Sequence, residues 1–241
     1  MLAIIGGTGF GELAGLEDAE SVAAATLYGA SNFQKGLLAG VPVLFLPRHG
    51  APPSTPPHAI NYRANIIGLK DAGATRIISV NAVGSVDPAL PVPALVIPDQ
   101  IIDYTWGREH TFFDHEIHHI DFTYPFSAGL RQELIALART IDGVKLVEEG
   151  TYGCTQGPRL ETAAEVRRLA ADGCHIVGMT AMPEAALAAE AGLDYASLSV
   201  VVNAGAGLEG EVDLDGIQAA MSEGMSWVAG VVRQFAQSLP S

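Results

Sequence analysis

The sequence predicts a single α/β domain over residues 1–241, with helices flanking a central, mostly parallel or mixed β-sheet. Three observations predict it. Short, continuous apolar and β-branched runs recur, the pattern of strands buried on both faces. Helical segments with recognisable caps and stops lie between several of these runs. No repeat, low-complexity tract or linker divides the 241 residues, a length that one large core can serve.

The first run, Leu2 to Ile5, ends in the glycine-rich turn Gly6-Gly7-Thr8-Gly9-Phe10-Gly11. A dinucleotide fingerprint fails here, because counting from Gly7 the third glycine position of G-x-G-x-x-G falls on Glu12. Nor does an acidic residue close a second strand at the proper distance, since Glu17 and Asp18 lie in a polar, alanine-rich stretch. The turn alone fits an anion loop or a plain tight turn. The second run, Val41 to Leu46, delivers Arg48 and His49 to a strand's C-terminal end, where open α/β sheets bind ligands. A surface ion pair would also explain Arg48, although the strongly apolar strand and flanking proline disfavour it. Gly50 to His58, "GAPPSTPPH", reads as a surface loop over a site. Asn61 to Asp71 has helical spacing and Gly73 as its stop. Arg76 to Val80 is a strand running into "VNAVGS" (Val80 to Ser85), small residues whose amides can approach a ligand. Ala94 to Ile97 is another strand. Thr162 and Glu165 form a capping box ahead of Val166, Leu169 and Ala170, with Gly173 as terminator. After the strand His175 to Val177, Thr180 precedes a helix with Pro183 at its first position, Glu184 in its first turn and Gly192 at its end. Thr180 alone fits a helix cap as well as an anion contact. The strand Tyr195 to Val202 and a long helix from about Leu214 to Gln237 complete the chain.

Charge limits the partners. The chain has 13 basic and 27 acidic residues, a net of −14, so it has no general basic field to attract nucleic acid or an anionic membrane. Any anion must be caught locally, and Thr8, Arg48 with His49, Asn81 with Ala82, and Thr180 are the strand-end groups able to converge on one phosphate. No apolar run reaches the ~18 residues of a membrane span, and the N-terminus lacks a signal-peptide pattern, so a soluble, cytoplasmic protein is expected. Cys154 and Cys174 lack zinc spacing and read as reduced core thiols. The 49% hydrophobic content with 17% charge points to an oligomer.

Taken in order, "IIGGTGF", "LPRHG", "INYRANI", "VNAVGSV", "TQGPRLET", "GMTAMPEAALAAEAG" and "SVVVNAGAG" resemble the trimeric purine nucleoside phosphorylase and methylthioadenosine phosphorylase family, from Ile4 to about Gln234. The resemblance implies attack of inorganic phosphate on the anomeric carbon of a nucleoside, through an oxocarbenium-like transition state. It places phosphate contacts on Thr8, Arg48, His49, Asn81, Ala82 and Thr180. Asn81 departs from the threonine usual in the methylthioadenosine enzymes; its amide is expected to donate to phosphate, and Ala82 to offer its backbone amide. Met179 matches the residue lying against the ribose. Arg48, Thr180 and Asn203 are the expected catalytic residues.

The same resemblance makes the base end specific. The methylthioadenosine enzymes carry two aspartates where this chain has Asn203 and, beyond Ala204, Gly205. Asn203 is similar to the asparagine of 6-oxopurine phosphorylases, and Glu161 matches the glutamate that accepts a proton from N1–H. A carboxylate suits that donor and repels the lone pair of adenine N1. At the sugar end Leu214, with Val212 as alternative, looks like the aliphatic residue packing a 5′-methylthio group. His119, rather than His118, matches the histidine that covers a neighbouring subunit's pocket. The combination predicts 5′-methylthioinosine as substrate, in a homotrimer needing no metal or organic cofactor, with phosphate as co-substrate. A general inosine and guanosine phosphorylase is the first alternative, methylthioadenosine phosphorylase the second. A non-catalytic nucleotide-binding module and a hydrolase using water are the remaining readings.

Overall fold

A computed structural model describes residues 1–208 and 214–239, the side chains of 214 and 215 excepted. In chain order its strands are β1 (Leu2–Gly6), β2 (Leu16–Thr26), β3 (Gly29–Leu38), β4 (Val41–Pro47), β5 (Arg76–Ser85), β6 (Ala94–Val96), β7 (Gln100–Asp103), β8 (Leu146–Val147), β9 (Thr151–Cys154), β10 (Ile176–Gly178) and β11 (Asp194–Ala204). The helices are α1 (Tyr62–Asp71), α2 (Ala128–Ala138), α3 (Ala163–Ala171), α4 (Ala181–Glu190) and α5 (Leu214–Ser238).

One mixed sheet holds all these strands. Its centre is the parallel block β4–β1–β5–β11. β2 and β3 extend it antiparallel beyond β4, while β10, β9 and β7 continue it past β5, and β6 and β8 join along β11. Side chains alternate between the faces with the two-residue period of a strand, and both faces are covered. Ile5, Leu46 and Ile77 pack with Ile66 and Leu69 of α1 and Leu187 of α4. Their neighbours Ile4, Phe45 and Ile78 pack on the other side with Leu130 and Leu134 of α2 and Val228 and Val231 of α5. Double coverage explains why the central strands are continuous apolar runs.

The α/β class with a mixed sheet is as predicted, and the structure corrects several elements. β5 continues to Ser85, so Asn81 and Ala82 lie inside a strand and not at its end. β2, β3, α2 and β7 to β9 were not anticipated. The β2–β3 hairpin is an edge of small and polar residues, with β2 mostly exposed, so it shows no apolar run. α2 does carry a signal, a Ser127 cap accepting from the Leu130 amide and buried Leu130, Leu134 and Ala138 at four-residue spacing. The Thr162 capping box forms as read, with Glu165 N donating to Thr162 Oγ1 at 3.2 Å and Thr162 N to Glu165 Oε2 at 2.7 Å. α4 starts at Ala181, but Met182 is non-helical and the regular turns begin at Pro183. Both cysteines are buried free thiols, and burial pushes Cys154 up to about 12. No described helix is long and apolar enough to cross a membrane.

Candidate active site

The site lies where the sheet parts beside β5. β1 pairs with β5 from Arg76 to Ser79 and stops. β10 takes up the same side only at Gly84 and Ser85, while β11 pairs along the opposite side throughout. Along Val80 to Val83 one flank of β5 therefore lacks a neighbouring strand, a topological break of the kind that binds ligands in α/β sheets. A cavity of about 610 Å³ opens there. Thr8, Arg48, His49, Asn81, Ala82 and Thr180, all the expected phosphate contacts, line it, and so do Met179, Asn203, Gly205 and Glu161. Pro53 to Pro57 of the proline-rich loop roof it as anticipated.

The glycine turn answers to this geometry. Following β1 the chain turns, with Phe10 N bonded to Gly7 O at 3.0 Å, and proceeds to β2 without a helix. A Cβ on Gly7 would stand 2.6 Å from Val80 O and 2.7 Å from Arg48 Nη1, so only glycine lets the turn reach the open flank of β5. Gly9 adopts φ +79°, a conformation that favours glycine.

Arg48 is buried and not poised as a free cation. Its Nε donates to Glu184 Oε2 at 2.7 Å and its Nη2 to Glu184 Oε1 at 2.9 Å, a bidentate pair of a guanidinium and a carboxylate. Nη2 also donates to Ser79 Oγ at 2.7 Å and Nη1 to Val80 O at 3.0 Å. Burial pulls its pKa down, yet the charge and hydrogen bonds of Glu184 raise it above the ordinary value. Tyr195 donates its hydroxyl to Glu184 Oε1 at 2.8 Å and, buried beside that carboxylate, stays protonated. Arg48 thus offers an anion only the remaining Nη1 hydrogen.

Asn81 corrects the sequence reading more sharply. Its Nδ2 donates to Ser79 Oγ at 3.1 Å and Ser197 Oγ at 2.8 Å, and its Oδ1 accepts from Thr180 Oγ1 at 2.9 Å. No amide hydrogen remains for phosphate. Thr180 precedes α4 without capping it, because its hydroxyl is committed to Asn81. His49 Nδ1 lies 2.8 Å from Thr55 O and so carries hydrogen, which leaves Nε2 as the atom available to a ligand. Partial burial lowers the His49 pKa, the Thr55 carbonyl opposes this, and the neighbouring Arg48 charge reinforces it.

At the other end Glu161 Oε1 accepts from Thr155 Oγ1 at 2.6 Å, which aims the carboxylate. Asn203, near the end of β11, donates from Nδ2 to Ala204 O at 2.7 Å and, among the described residues, keeps its second amide hydrogen and Oδ1. Ala204, expected to contact substrate, is not among the residues lining the cavity; its carbonyl holds the Asn203 amide. Ile217 and Met221, one turn apart on α5, supply an apolar wall, while the expected 5′ contact falls on Leu214, with Val212 as alternative. Those two side chains lie outside the described residues. His119 is exposed, in the segment between β7 and α2, and does not line this cavity. Arg108, unnoticed in the sequence, is buried and donates to Met179 O at 2.8 Å, Met182 O at 2.6 Å and Gln156 O at 2.8 Å, tying the Glu161 loop to the start of α4. Glu184 and Ser79 were missed because the group they share, Arg48, lies 136 and 31 residues away, and Tyr195 enters only through Glu184.

Residues 1–237 match the family model described as Phosphorylase superfamily. The chain is 51% identical over 232 residues, 94% of each protein, to a protein of Pseudomonas syringae pv. tomato named "Probable S-methyl-5'-thioinosine phosphorylase". It is 43% identical over 218 residues, 87% of this chain and 82% of the other, to the 6-oxopurine nucleoside phosphorylase of Pyrococcus furiosus. Among solved structures, methylthioadenosine phosphorylase from Schistosoma mansoni in complex with adenine superimposes with a TM-score of 0.90 at 32% identity, covering 98% of this chain and 90% of that one.

Proposed function

Since the chain belongs to the phosphorylase superfamily, we propose that it is a nucleoside phosphorylase, a pentosyltransferase that cleaves S-methyl-5′-thioinosine with inorganic phosphate. The products are hypoxanthine and 5-methylthioribose 1-phosphate. One observation carries the choice of substrate: a single cavity joins Glu161 and Asn203 to the apolar Ile217 and Met221. A carboxylate and an amide together suit a 6-oxopurine, whose N1–H donates and whose O6 and N7 accept. The apolar wall of Ile217 and Met221 suits a methylthio group, and these two described residues offer a 5′-hydroxyl no polar partner.

In this reading phosphate lies over the open flank of β5 among Thr8, His49, Thr180 and the Ala82 amide, with Arg48 behind it. A phosphate oxygen forms the new bond to the anomeric carbon as the bond from that carbon to N9 breaks. The electron pair of the broken bond stays on the purine, where Asn203 donates to N7. The anion beneath the sugar stabilises its developing positive charge, and Met179 lies against the ribose. Phosphate is the only second substrate this chemistry needs. The assembly is a homotrimer in which His119 reaches a neighbouring site. Supporting that arrangement, the same segment exposes Trp106, Ile117 and Tyr124, at 71%, 86% and 79%.

Release of free base from methylthioinosine, inosine and methylthioadenosine, each with and without phosphate, tests the reading. Phosphate-dependent cleavage favouring methylthioinosine is the expected result. Preference for methylthioadenosine would refute the roles of Glu161 and Asn203, and preference for inosine would refute the apolar 5′ wall.

A further inference from the structure

One charge sets the direction of the hydrogen bonds that lead from Ser79 through Asn81 to Thr180. Glu184 engages the Arg48 fork with both carboxylate oxygens, so it is ionised and only accepts. Ser79 Oγ lies 3.0 Å from Glu184 Oε1, and its single proton goes to that carboxylate. Ser79 must then accept from Arg48 Nη2 and from Asn81. The Asn81 atom facing Ser79 is accordingly the Nδ2 amide, and its second hydrogen goes to Ser197 Oγ. This leaves the Oδ1 carbonyl facing Thr180 Oγ1 at 2.9 Å, able only to accept. Thr180 therefore directs its one proton inward and turns lone pairs toward the cavity it lines.

We infer that Thr180 accepts a hydrogen bond from the bound anion, and that the site selects an oxyanion carrying a proton, hydrogenphosphate or hydrogenarsenate, over sulfate, which carries none. The inference rests on the reading of this cavity as the phosphate site. Turning Thr180 to donate to a bare oxyanion would leave Asn81 Oδ1 without its partner in a residue only 2% exposed. An unsatisfied buried carbonyl of this kind corresponds to roughly tenfold or more in affinity. Ser79 and Glu184 act as positioning residues: they are absent from the cavity's lining and work through Asn81.

Steady-state phosphorolysis of the best-cleaved nucleoside, with sulfate as competitor and arsenate in place of phosphate, tests this in the native protein and in Ser79→Ala. Arsenate is expected to replace phosphate, and sulfate to inhibit with a Ki at least ~10-fold above the KM for phosphate. Ser79→Ala frees the Asn81 amide to turn over, so the ratio of the two constants should shrink by roughly threefold or more. A merely structural role of Ser79 would weaken both anions together. Sulfate competing at less than ~10-fold above phosphate in the native protein overturns the inference, as does an unchanged ratio in folded Ser79→Ala. Should the variant not fold, the native competition decides alone. Phosphate-dependent cleavage that persists in these cases leaves the phosphate site standing; its absence with every purine nucleoside overturns both.

Discussion

Replacing Glu184 by alanine removes the acceptor of a fully buried ion pair and leaves a guanidinium, a serine and a tyrosine pointing at a void. The side chains of Arg48 and Glu184 are 1% and 2% exposed, so solvent does not screen the pair and the surface value of about 0–1 kcal/mol does not apply. Breaking a buried pair on one side costs about 3–5 kcal/mol, because the surviving charge has neither partner nor water. The Arg48 pKa, raised by Glu184 against the effect of burial, agrees in direction. For a chain of this length the expected fall in melting temperature is on the order of 6–20 °C, followed by calorimetry at one fixed protein concentration. Glu184→Gln keeps the volume but places an amide where Arg48 or Tyr195 needs an acceptor, and should lose roughly half as much. A loss below ~1 kcal/mol for the alanine variant would mean that Arg48 finds another acceptor, and the account of the buried network would be wrong.

Asn203→Asp should turn the base preference toward the 6-aminopurine, lowering kcat/KM for methylthioinosine by roughly 10²-fold relative to methylthioadenosine; an equal loss with both nucleosides would leave base reading by Asn203 unsupported. Met221→Gln puts a polar group into the apolar wall and should reduce the advantage of methylthioinosine over inosine by about tenfold, measured as a ratio of kcat/KM. His49 contributes to the pH dependence of stability. Its pKa is lowered in the folded protein from an ordinary 6.5, chiefly by burial, so below that value the unfolded chain binds more protons. Its contribution is present above that pH and is lost as pH falls through it. Denaturant titrations from neutral to mildly acidic pH should show a shallower acid-side decline in His49→Gln than in the native protein, and parallel curves would refute the assignment.

Local signals made part of this molecule legible in its sequence. The runs at β1, β4 and β11 announce strands because both faces are covered, and Thr162 with Glu165 announces a cap because the bonds span three residues. β2 and β3 escaped because an edge hairpin needs no apolar run, and α2 escaped although its leucine spacing was present. At the site, six groups read as strand-end anion contacts and four more implied by the family resemblance lie around one cavity. What each group can donate was not legible. Asn81 looks like a phosphate donor until Ser79, Ser197 and Thr180 claim its amide, from as far as 116 residues away. Arg48 looks like an open anion clamp until Glu184, 136 residues away, occupies most of its fork. Residue type fixes how many hydrogen bonds a group can make, whereas its direction of donation follows from the nearest group that cannot reverse. Here that group is an ionised carboxylate buried behind the cavity. A substitution at Glu184 or Ser79, away from any substrate atom, should therefore alter which anion the site accepts.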